Sequence, residues 1–450
     1  MVKIQKGENM RKLRISPYLL VLISFASVIF LGSFLLVLPF SHANNSWANY
    51  YDSLFLSTSA VCVTGLSPYT NLSNELTLFG KIVLILLVQI GGLGFITIFT
   101  FFLSMLGIKL GAVDRFMIKE ALNVTRFDGV INFVKTAIKY TLIIEGIGII
   151  LNGIYFIPKF GWKDGPFVSI FHTISAFNNA GFDILGSSSL INYSNEIYLN
   201  VITILLIVIG GLGFPVVDDI IKNRPKKWSA FTKIVLVTSS TLIIFGTIAL
   251  LVFESSNNIT FLEALFQSVS ARTAGFSSID MSKLTLPGEC IIEMLMFIGA
   301  SPLSTGGGVK TTTLFVLLLA IMSHIRGKKT IAFKRYISNN SVMKAMSLVF
   351  VAIFVLIFGF LTICLIEKTN DATVEKDASR ILFECFSALG TVGFSQSLTP
   401  ILSSGSEMIL CLLMFFGRVG PMTVVSVFSN SLNKDETQRV KYIEENVVVG

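Results

Sequence analysis

Phe55-Leu-Ser-Thr-Ser59-Ala60-Val61-Cys62-Val63-Thr64-Gly65-Leu66 is a short apolar stretch that ends on a glycine, and its pattern returns three times. The second copy is Phe171-His-Thr-Ile-Ser175-Ala176-Phe177-Asn178-Asn179-Ala180-Gly181-Phe182. The third is Leu265-Phe-Gln-Ser-Val269-Ser270-Ala271-Arg272-Thr273-Ala274-Gly275-Phe276, and the fourth is Phe383-Glu-Cys-Phe-Ser387-Ala388-Leu389-Gly390-Thr391-Val392-Gly393-Phe394. Ten residues before each key glycine stands Phe or Leu, five before it Ser or Ala, and directly after it Leu or Phe. A second register runs with the first. Some 24–29 residues beyond each key glycine, another glycine falls in an apolar run. These are Gly91 in Gln89-Ile-Gly-Gly-Leu-Gly94, Gly210 in Ile209-Gly-Gly-Leu-Gly213, Gly299 in Ile298-Gly-Ala-Ser-Pro302 and Gly417 in Phe416-Gly-Arg-Val-Gly420. Paired registers at matching offsets mark an internal structural repeat.

Around these stretches the chain is built for lipid. Of its 450 residues, 53% are hydrophobic and 14% charged, and the mean hydropathy is +0.75; a soluble protein carries about a quarter charged residues. Eight spanning helices are expected, at roughly 17–39, 79–106, 131–157, 197–217, 232–253, 289–323, 344–366 and 407–429, each with the roughly 20 apolar residues a bilayer requires. The sixth is expected to unwind within Ser301–Gly308, because Pro302 lacks a donor and Gly306, Gly307 and Gly308 weaken a helix. The net charge of +8 collects in segments 1–16, 108–130, 218–231 and 324–343 and in the tail from about 430. Stretches of the alternate connections, such as Ser41–Asp52 and Leu185–Glu196, hold no Lys or Arg. That is the positive-inside pattern, which places both termini in the cytoplasm and explains the basic charge without a nucleic acid. The five cysteines (Cys62, Cys290, Cys364, Cys385, Cys411) give neither a disulfide framework nor a metal-ligand spacing. No cleavable signal peptide is expected, since the first apolar run is long enough to span.

The four glycine stretches fall in the connections between spans 1–2, 3–4, 5–6 and 7–8. They are too short to cross, and apolar runs of about 10–14 residues can be re-entrant. Irregular backbone at membrane depth survives only where protein buries it or where it lines a wet cavity. The expected fold is therefore an all-α integral membrane protein of four tandem helix–re-entrant hairpin–helix repeats, closed pseudo-fourfold around a central pore. The repeats are 1–107, 108–217, 218–335 with the broken second helix, and 336–431, followed by a cytoplasmic tail at 432–450. Each short helix would point the negative end of its dipole at the membrane centre, which favours a cation. Carbonyls of the extended residues that follow can replace a cation's hydration shell, and glycine at the turning point permits positive φ and close approach. An ion pathway is the function these features serve. No clustered His, Asp or Cys suggests an enzyme, and a scaffold has no use for four such hairpins.

These residues resemble the superfamily of K⁺ transporters that includes TrkH, TrkG, HKT and KtrB, most closely its KtrB-type membrane subunits. The resemblance covers nearly the whole chain, including the tail Tyr442-Ile-Glu-Glu-Asn-Val-Val-Val-Gly450. It implies K⁺ uptake through a selectivity filter of Val63, Thr64, Gly65, Asn179, Ala180, Gly181, Thr273, Ala274, Gly275, Thr391, Val392 and Gly393, with K⁺ held by carbonyls at the four glycines. In that superfamily glycine at the first filter position goes with K⁺ selectivity. Thr-Val-Gly-Tyr-Gly is absent here, so fewer carbonyl sites are implied than in tetrameric K⁺ channels. The resemblance also implies a gate beneath the filter, made of Ser304, Thr305, Gly306, Gly307, Gly308, Lys310 and Arg418. Arg418 is expected to form an electrostatic barrier or a latch onto the carbonyls of Gly306–Gly308. The implied partners are a second copy of the chain and a cytosolic octameric ring of KtrA-type subunits that bind ATP or ADP. Residues 442–450 are implicated around the dimer. No tightly bound cofactor is implied; K⁺ is the transported ion and Na⁺ an activator.

Other polar residues stand at membrane depth. Arg272 is expected to reach a carboxylate behind the pore, Asp183 or Glu263. Glu145 and Glu293 are either coupling-ion or proton sites, which would make the chain a Na⁺- or H⁺-coupled symporter, or buried acids paired with polar neighbours. A less selective monovalent cation channel is a further alternative. His172 is expected to be a hydrogen-bonded packing residue, while His42 and His324 are remote from it and from each other. Nothing resembles a catalytic triad, a zinc site or a phosphate loop.

Overall fold

The computed structural model describes residues 17–106, 130–186, 188–369 and 377–420. The basic segments 1–16 and most of 108–130, the end of the eighth expected span and the tail 432–450 lie outside the described residues. Apart from a small hairpin, Ile331–Ala332 with Arg335–Tyr336, the regular structure is helical.

The helices follow one order four times: a long first helix, a short pore helix, a return segment and a second helix. The first helices are Pro17–Val37, 130–160, Ala230–Phe253 and Asn339–Thr369. All four are long and apolar enough to cross a membrane. Their outward faces expose large apolar side chains, such as Phe350, Phe354 and Phe358 on the fourth, which is the face a helix turns to lipid. The pore helices are Tyr50–Val61, 162–177, Phe261–Ser270 and Ala378–Gly390. In the second unit, first helix and pore helix run on as one, interrupted where Gly161 takes φ 76° and ψ 172°. Local chemistry starts the pore helices: Asn49 accepts from Tyr51 N, and Thr260 forms a reciprocal capping box with Glu263.

The second helices begin at Leu78, Ile197, Leu286 and Ser404. In the third and fourth units a carboxylate at the end of the first helix clasps that start. Glu254 accepts from Thr285 N (2.9 Å) and Oγ1 (2.7 Å), and Glu367 accepts from Ser403 N (3.1 Å) and Oγ (2.7 Å). An anion at a helix N-terminus satisfies free N–H groups and the positive end of the dipole together.

The sequence predicts one broken span, the sixth, and here the structure differs. Three of the second helices stop on a glycine at the same position in the repeat. Leu78–Leu93 stops at Gly94 (φ 80°, ψ 131°), Ile197–Leu212 at Gly213 (φ 90°, ψ 141°) and Ser404–Val419 at Gly420 (φ 90°, ψ 133°). After Gly213 the chain bends by 99° into Phe214–Lys222. In the third unit Leu286–Phe297 opens into a loop, 298–310, before Thr311–Ile325. Each of the three breaking glycines stands three residues after a second-register glycine.

Those second-register glycines have their own reason. A Cβ on Gly91, Gly210 or Gly417 would run into the carbonyl oxygen of Val61, Phe177 or Leu389, at the C-terminal turn of the unit's own pore helix. Gly299 instead faces Gly307 and Gly308 of the loop. By contrast, a Cβ on Gly146, in the first helix of the second unit, would meet nothing within 4 Å. Gly146→Ala should therefore leave stability unchanged or raise it by up to about 1 kcal/mol. Gly210→Ala should cost about 1–3 kcal/mol through overpacking. Thermal unfolding of the two purified variants in detergent separates these outcomes.

Candidate ion pathway

At each key glycine the backbone makes the same pair of left-handed turns. Val63, Asn179, Thr273 and Thr391, two residues ahead of the glycines, have φ of 58°, 59°, 75° and 52°. Gly65, Gly181, Gly275 and Gly393 have φ of 97°, 69°, 77° and 101°. Three of the four non-glycine residues are β-branched, for which positive φ is a genuine outlier costing about 1–3 kcal/mol. Strain of that size, repeated four times, persists only where the surroundings force it.

The surroundings are the other hairpins. Gly65 lies against the carbonyl oxygen of Ala180, Gly181 against that of Ala274, Gly275 against that of Val392 and Gly393 against that of Thr64. The fourth contact returns to the first unit, so the ring closes. A Cβ on Gly181 would sit 2.7 Å from the Ala274 oxygen, and the clash is tighter at the other three glycines. Only glycine fits. The carbonyls of Thr64, Ala180, Ala274 and Val392 thus belong to one ring, and all eight residues at the two positions before the glycines are buried.

Serine hydroxyls hold this backbone to the pore helices. Ser59 and Ser387 accept from Gly65 N (3.1 Å) and Gly393 N (3.0 Å), while Ser175 and Ser270 donate to Phe182 O and Phe276 O at 2.6 Å. The same four serines present their carbonyls to the N–H groups of Thr64, Ala180, Ala274 and Val392, at 2.8–2.9 Å. Counting back from glycine, the sequence pairs Leu265 with Phe55, Phe171 and Phe383. The structure corrects this by one residue: Phe266 is the fully buried counterpart, four residues before Ser270 as Phe55 is before Ser59. The turn after the third pore helix is one residue shorter than the others. Phe-x-x-x-Ser-Ala is the signal that would have found the serines.

Below the ring sits the loop of the third unit. Gly306 and Gly307 have no side chains, and a Cβ on either would strike Thr273 Oγ1 or Thr391 Oγ1 of the ring. The loop closes on itself through Gly299 N to Val309 O (2.8 Å) and Lys310 Nζ to Gly306 O (2.7 Å) and Gly307 O (3.3 Å). It is also stitched to the second and fourth units, and Arg418 of the fourth bridges it to the first. Ser301 N and Thr305 N donate to Gly211 O (3.1 Å) and Gly210 O (3.3 Å), Phe214 N donates to Leu303 O (3.1 Å), and Gly308 N donates to Gly417 O (3.3 Å). Arg418 donates to Thr305 O, Gly91 O and Gly92 O. The expected latch of Arg418 onto Gly306–Gly308 is thus displaced: it is Lys310 that holds the Gly306 and Gly307 carbonyls. Ser304 turns inward to Ser301 O (2.6 Å).

A cavity lies on either side of the ring and loop. One of about 270 Å³ is lined by the four ring glycines, Asp183 and Asp280, with no Lys or Arg in its wall. Asp280, in the return segment, titrates below its ordinary value: burial pushes it up, but Ser282 and Lys283, which pairs with it at 3.2 Å, outweigh that. The other cavity, about 390 Å³, is lined by Gly92, Ser304, Gly306, Lys310 and Arg418 among others. One mouth is acidic and the other is basic.

The remaining expected residues fall elsewhere. Arg272 meets neither Asp183 nor Glu263: its guanidinium donates to Ser239 O and Oγ, both at 3.2 Å. Glu263 is committed to Thr260 (2.8 Å), and Asp183 accepts from Leu185 N (3.1 Å). Glu145 is buried between two amides, Gln89 Nε2 and Asn178 Nδ2, each at 3.2 Å, and Asn178 Nδ2 also donates to Gln89 Oε1 (2.7 Å). That network braces the turn just before Asn179. Glu293 makes no side-chain hydrogen bond among the described residues, so the expected polar partner is not found. His172 bonds Thr203 Oγ1 (2.9 Å) and packs on Phe276, as a packing residue should. At the equivalent place in the fourth unit, Glu384 takes Ser395 (2.5 Å) and Thr399 (2.9 Å), a brace that spacing alone did not suggest.

Comparison with known proteins adds to this geometry. Residues 15–440 match the family described as TrkH, cation transport protein. The chain is 35% identical to "Ktr system potassium uptake protein B" of Bacillus subtilis, over 99% of this chain and 100% of that protein. It is 38% identical to "Potassium/sodium uptake protein NtpJ" of Enterococcus hirae, over 97% and 98% respectively. The crystal structure of the potassium transporter TrkH from Vibrio parahaemolyticus superposes with a TM-score of 0.74 at 19% identity, covering 95% of this chain and 88% of that one. That likeness is one of fold.

The serine locks can be tested apart from transport. Ser387→Ala leaves Gly393 N–H without its partner in the ring and should cost about 1–3 kcal/mol. Ser347→Ala removes an exposed hydroxyl bonded only within its own helix (Met343 O, 2.9 Å) and should change stability by less than about 0.5 kcal/mol. Thermal unfolding checks both.

Proposed function

Because the chain belongs to the TrkH family of cation transport proteins, we propose that it takes up K⁺ through the glycine ring. The closed ring of carbonyl oxygens carries this reading. A cation that sheds some of its hydration shell there meets Thr64, Ala180, Ala274 and Val392 oxygens in place of water. The hydrogen-bonded serines keep the ring from collapsing. Val63, Asn179, Thr273 and Thr391 complete the filter, and Asp183 and Asp280 raise the local cation concentration at the mouth. The names of the relatives, a potassium uptake protein and a potassium/sodium uptake protein, support K⁺ as substrate.

The loop Ser304–Gly308 with Lys310 is the gate in this proposal. Lys310 and Arg418 place two positive groups in and under it, so a cation leaving the ring meets both a barrier and repulsion. The acidic mouth faces outward and the basic side faces the cytoplasm, with the four repeats divided as the sequence indicates. Opening requires the loop to give up its bonds to the second and fourth units together, Arg418 among them. We assign that work to a cytosolic nucleotide-binding ring of the KtrA type acting on a homodimer, with Na⁺ as a stimulating ion. A second reading, a Na⁺- or H⁺-coupled symporter, draws on Glu145, whose amide network touches the ring through Asn178. Uptake that persists without Na⁺ and across pH favours the channel-like mode.

Proteoliposomes of the purified chain test the assignment. Gly65→Ser should raise the Na⁺-to-Rb⁺ flux ratio at least tenfold, and an unaltered ratio would remove Gly65 from the filter. Arg418→Ala frees Thr305 O, Gly91 O and Gly92 O and should raise Rb⁺ leak several-fold in the absence of any cytosolic partner. Wild-type flux in that variant would reject the gate.

A further inference from the structure

Arg272 stands three residues before Gly275, at the end of the third pore helix, and it is 8% exposed. A guanidinium keeps its charge in a protein, and burying it unpaired costs several kcal/mol. Its Nη atoms bond only Ser239 O and Oγ, and its Nε has no partner. The ion pairs among the described residues, Lys222–Asp218 and Lys283–Asp280, do not involve it. The carbonyl end of its own pore helix offsets some of the charge, and no acidic side chain among the described residues pairs with the rest.

Beside Arg272 lies a cavity of about 20 Å³. Its wall holds Arg272, Ser239 and Asn179 as polar groups, set among Ile207, Val269 and Ala300. Roughly 10–15 Å³ already suffices for one water, and so few donors among apolar walls could not satisfy the several oxygens of sulfate, phosphate or a carboxylate ligand. The wall contains no acid. Arg272, whose Nε–H has no partner, and Ser239 stand in that wall as donors among apolar residues. A water there would satisfy Nε but leave the charge.

We propose that this cavity binds a single monatomic anion, chloride under ordinary conditions, as the counter-ion of Arg272. The anion removes a net positive charge from behind the third segment of the ring, where it would repel a cation in the pathway. It also ties the first helix of the third unit, through Ser239, to the turn that carries Thr273. The site stands whether the pathway carries K⁺ or another cation.

Bromide replaces chloride and can be located by its anomalous scattering. Crystals of the full-length chain grown in bromide should show one bromide peak within contact of the Arg272 guanidinium. In detergent, replacing gluconate by chloride at constant K⁺ should raise the melting temperature by several degrees. Arg272→Gln should abolish that rise, and Arg272→Lys should keep it while weakening the apparent chloride affinity at least tenfold. A cavity that holds only water in bromide-grown crystals overturns the proposal, as does an equal chloride effect in Arg272→Gln. Should Arg272→Gln fail to fold, the bromide map of the unaltered chain decides alone.

Discussion

A peptide group at mid-membrane finds no water, so any carbonyl released from a helix must be taken up by the protein itself. The structure below the ring follows from that rule. Glycine breaks at Gly94, Gly213 and Gly420 free carbonyls at equivalent places in three second helices. Three different acceptor sites then receive three different donors. Gly91 and Gly92 take the Arg418 guanidinium, Gly210 and Gly211 take backbone N–H groups of Thr305 and Ser301, and Gly417 takes Gly308 N–H. One loop and one arginine thus satisfy what the repeats leave undone. The departure from fourfold symmetry is the completion of a hydrogen-bond inventory.

The ring obeys the complementary demand, that strained backbone be over-determined. Four non-glycine residues at positive φ are held from outside by the next hairpin and from behind by a serine. Behind those come polar braces that differ between the second and fourth units: Asn178 with Glu145 and His172 with Thr203 in the second, and Glu384 with Ser395 and Thr399 in the fourth. Similar backbone is thus supported by dissimilar chemistry. A symmetric ring coexists with asymmetric surroundings.

The architecture and the ring were legible in the sequence because they are written in residues with one physical meaning each. A glycine that must take positive φ, and a glycine that must admit a carbonyl, leave the same letter in every unit. What was not legible depends on partners far away in the chain. The breaks at Gly94 and Gly213 lie in Gly-Gly-Leu-Gly, but a break was expected only at Ser301–Gly308, where a proline and three consecutive glycines coincide. Arg418 was found as an intramembrane charge, but its acceptors lie 113, 326 and 327 residues away, and spacing says nothing of them. Arg272 misled for a related reason. A buried cation suggests a carboxylate, and here the neighbours are a serine and a void. The one-residue shift in the third unit was hidden by aligning on glycine alone, since Leu265 satisfied the pattern as well as Phe266.

The ring has no seam: Gly393, near the end of the described chain, rests on the Thr64 carbonyl near its beginning. A chain made from its N-terminus therefore completes its first hairpin more than three hundred residues before that hairpin's last neighbour exists. Until Val392 and Gly393 arrive, the strained turn at Val63 has only its own serine and the second unit to hold it. Closure of the ring consequently waits on the fourth hairpin. A polypeptide cut short anywhere before the fourth hairpin is left with an open arc in place of the ring.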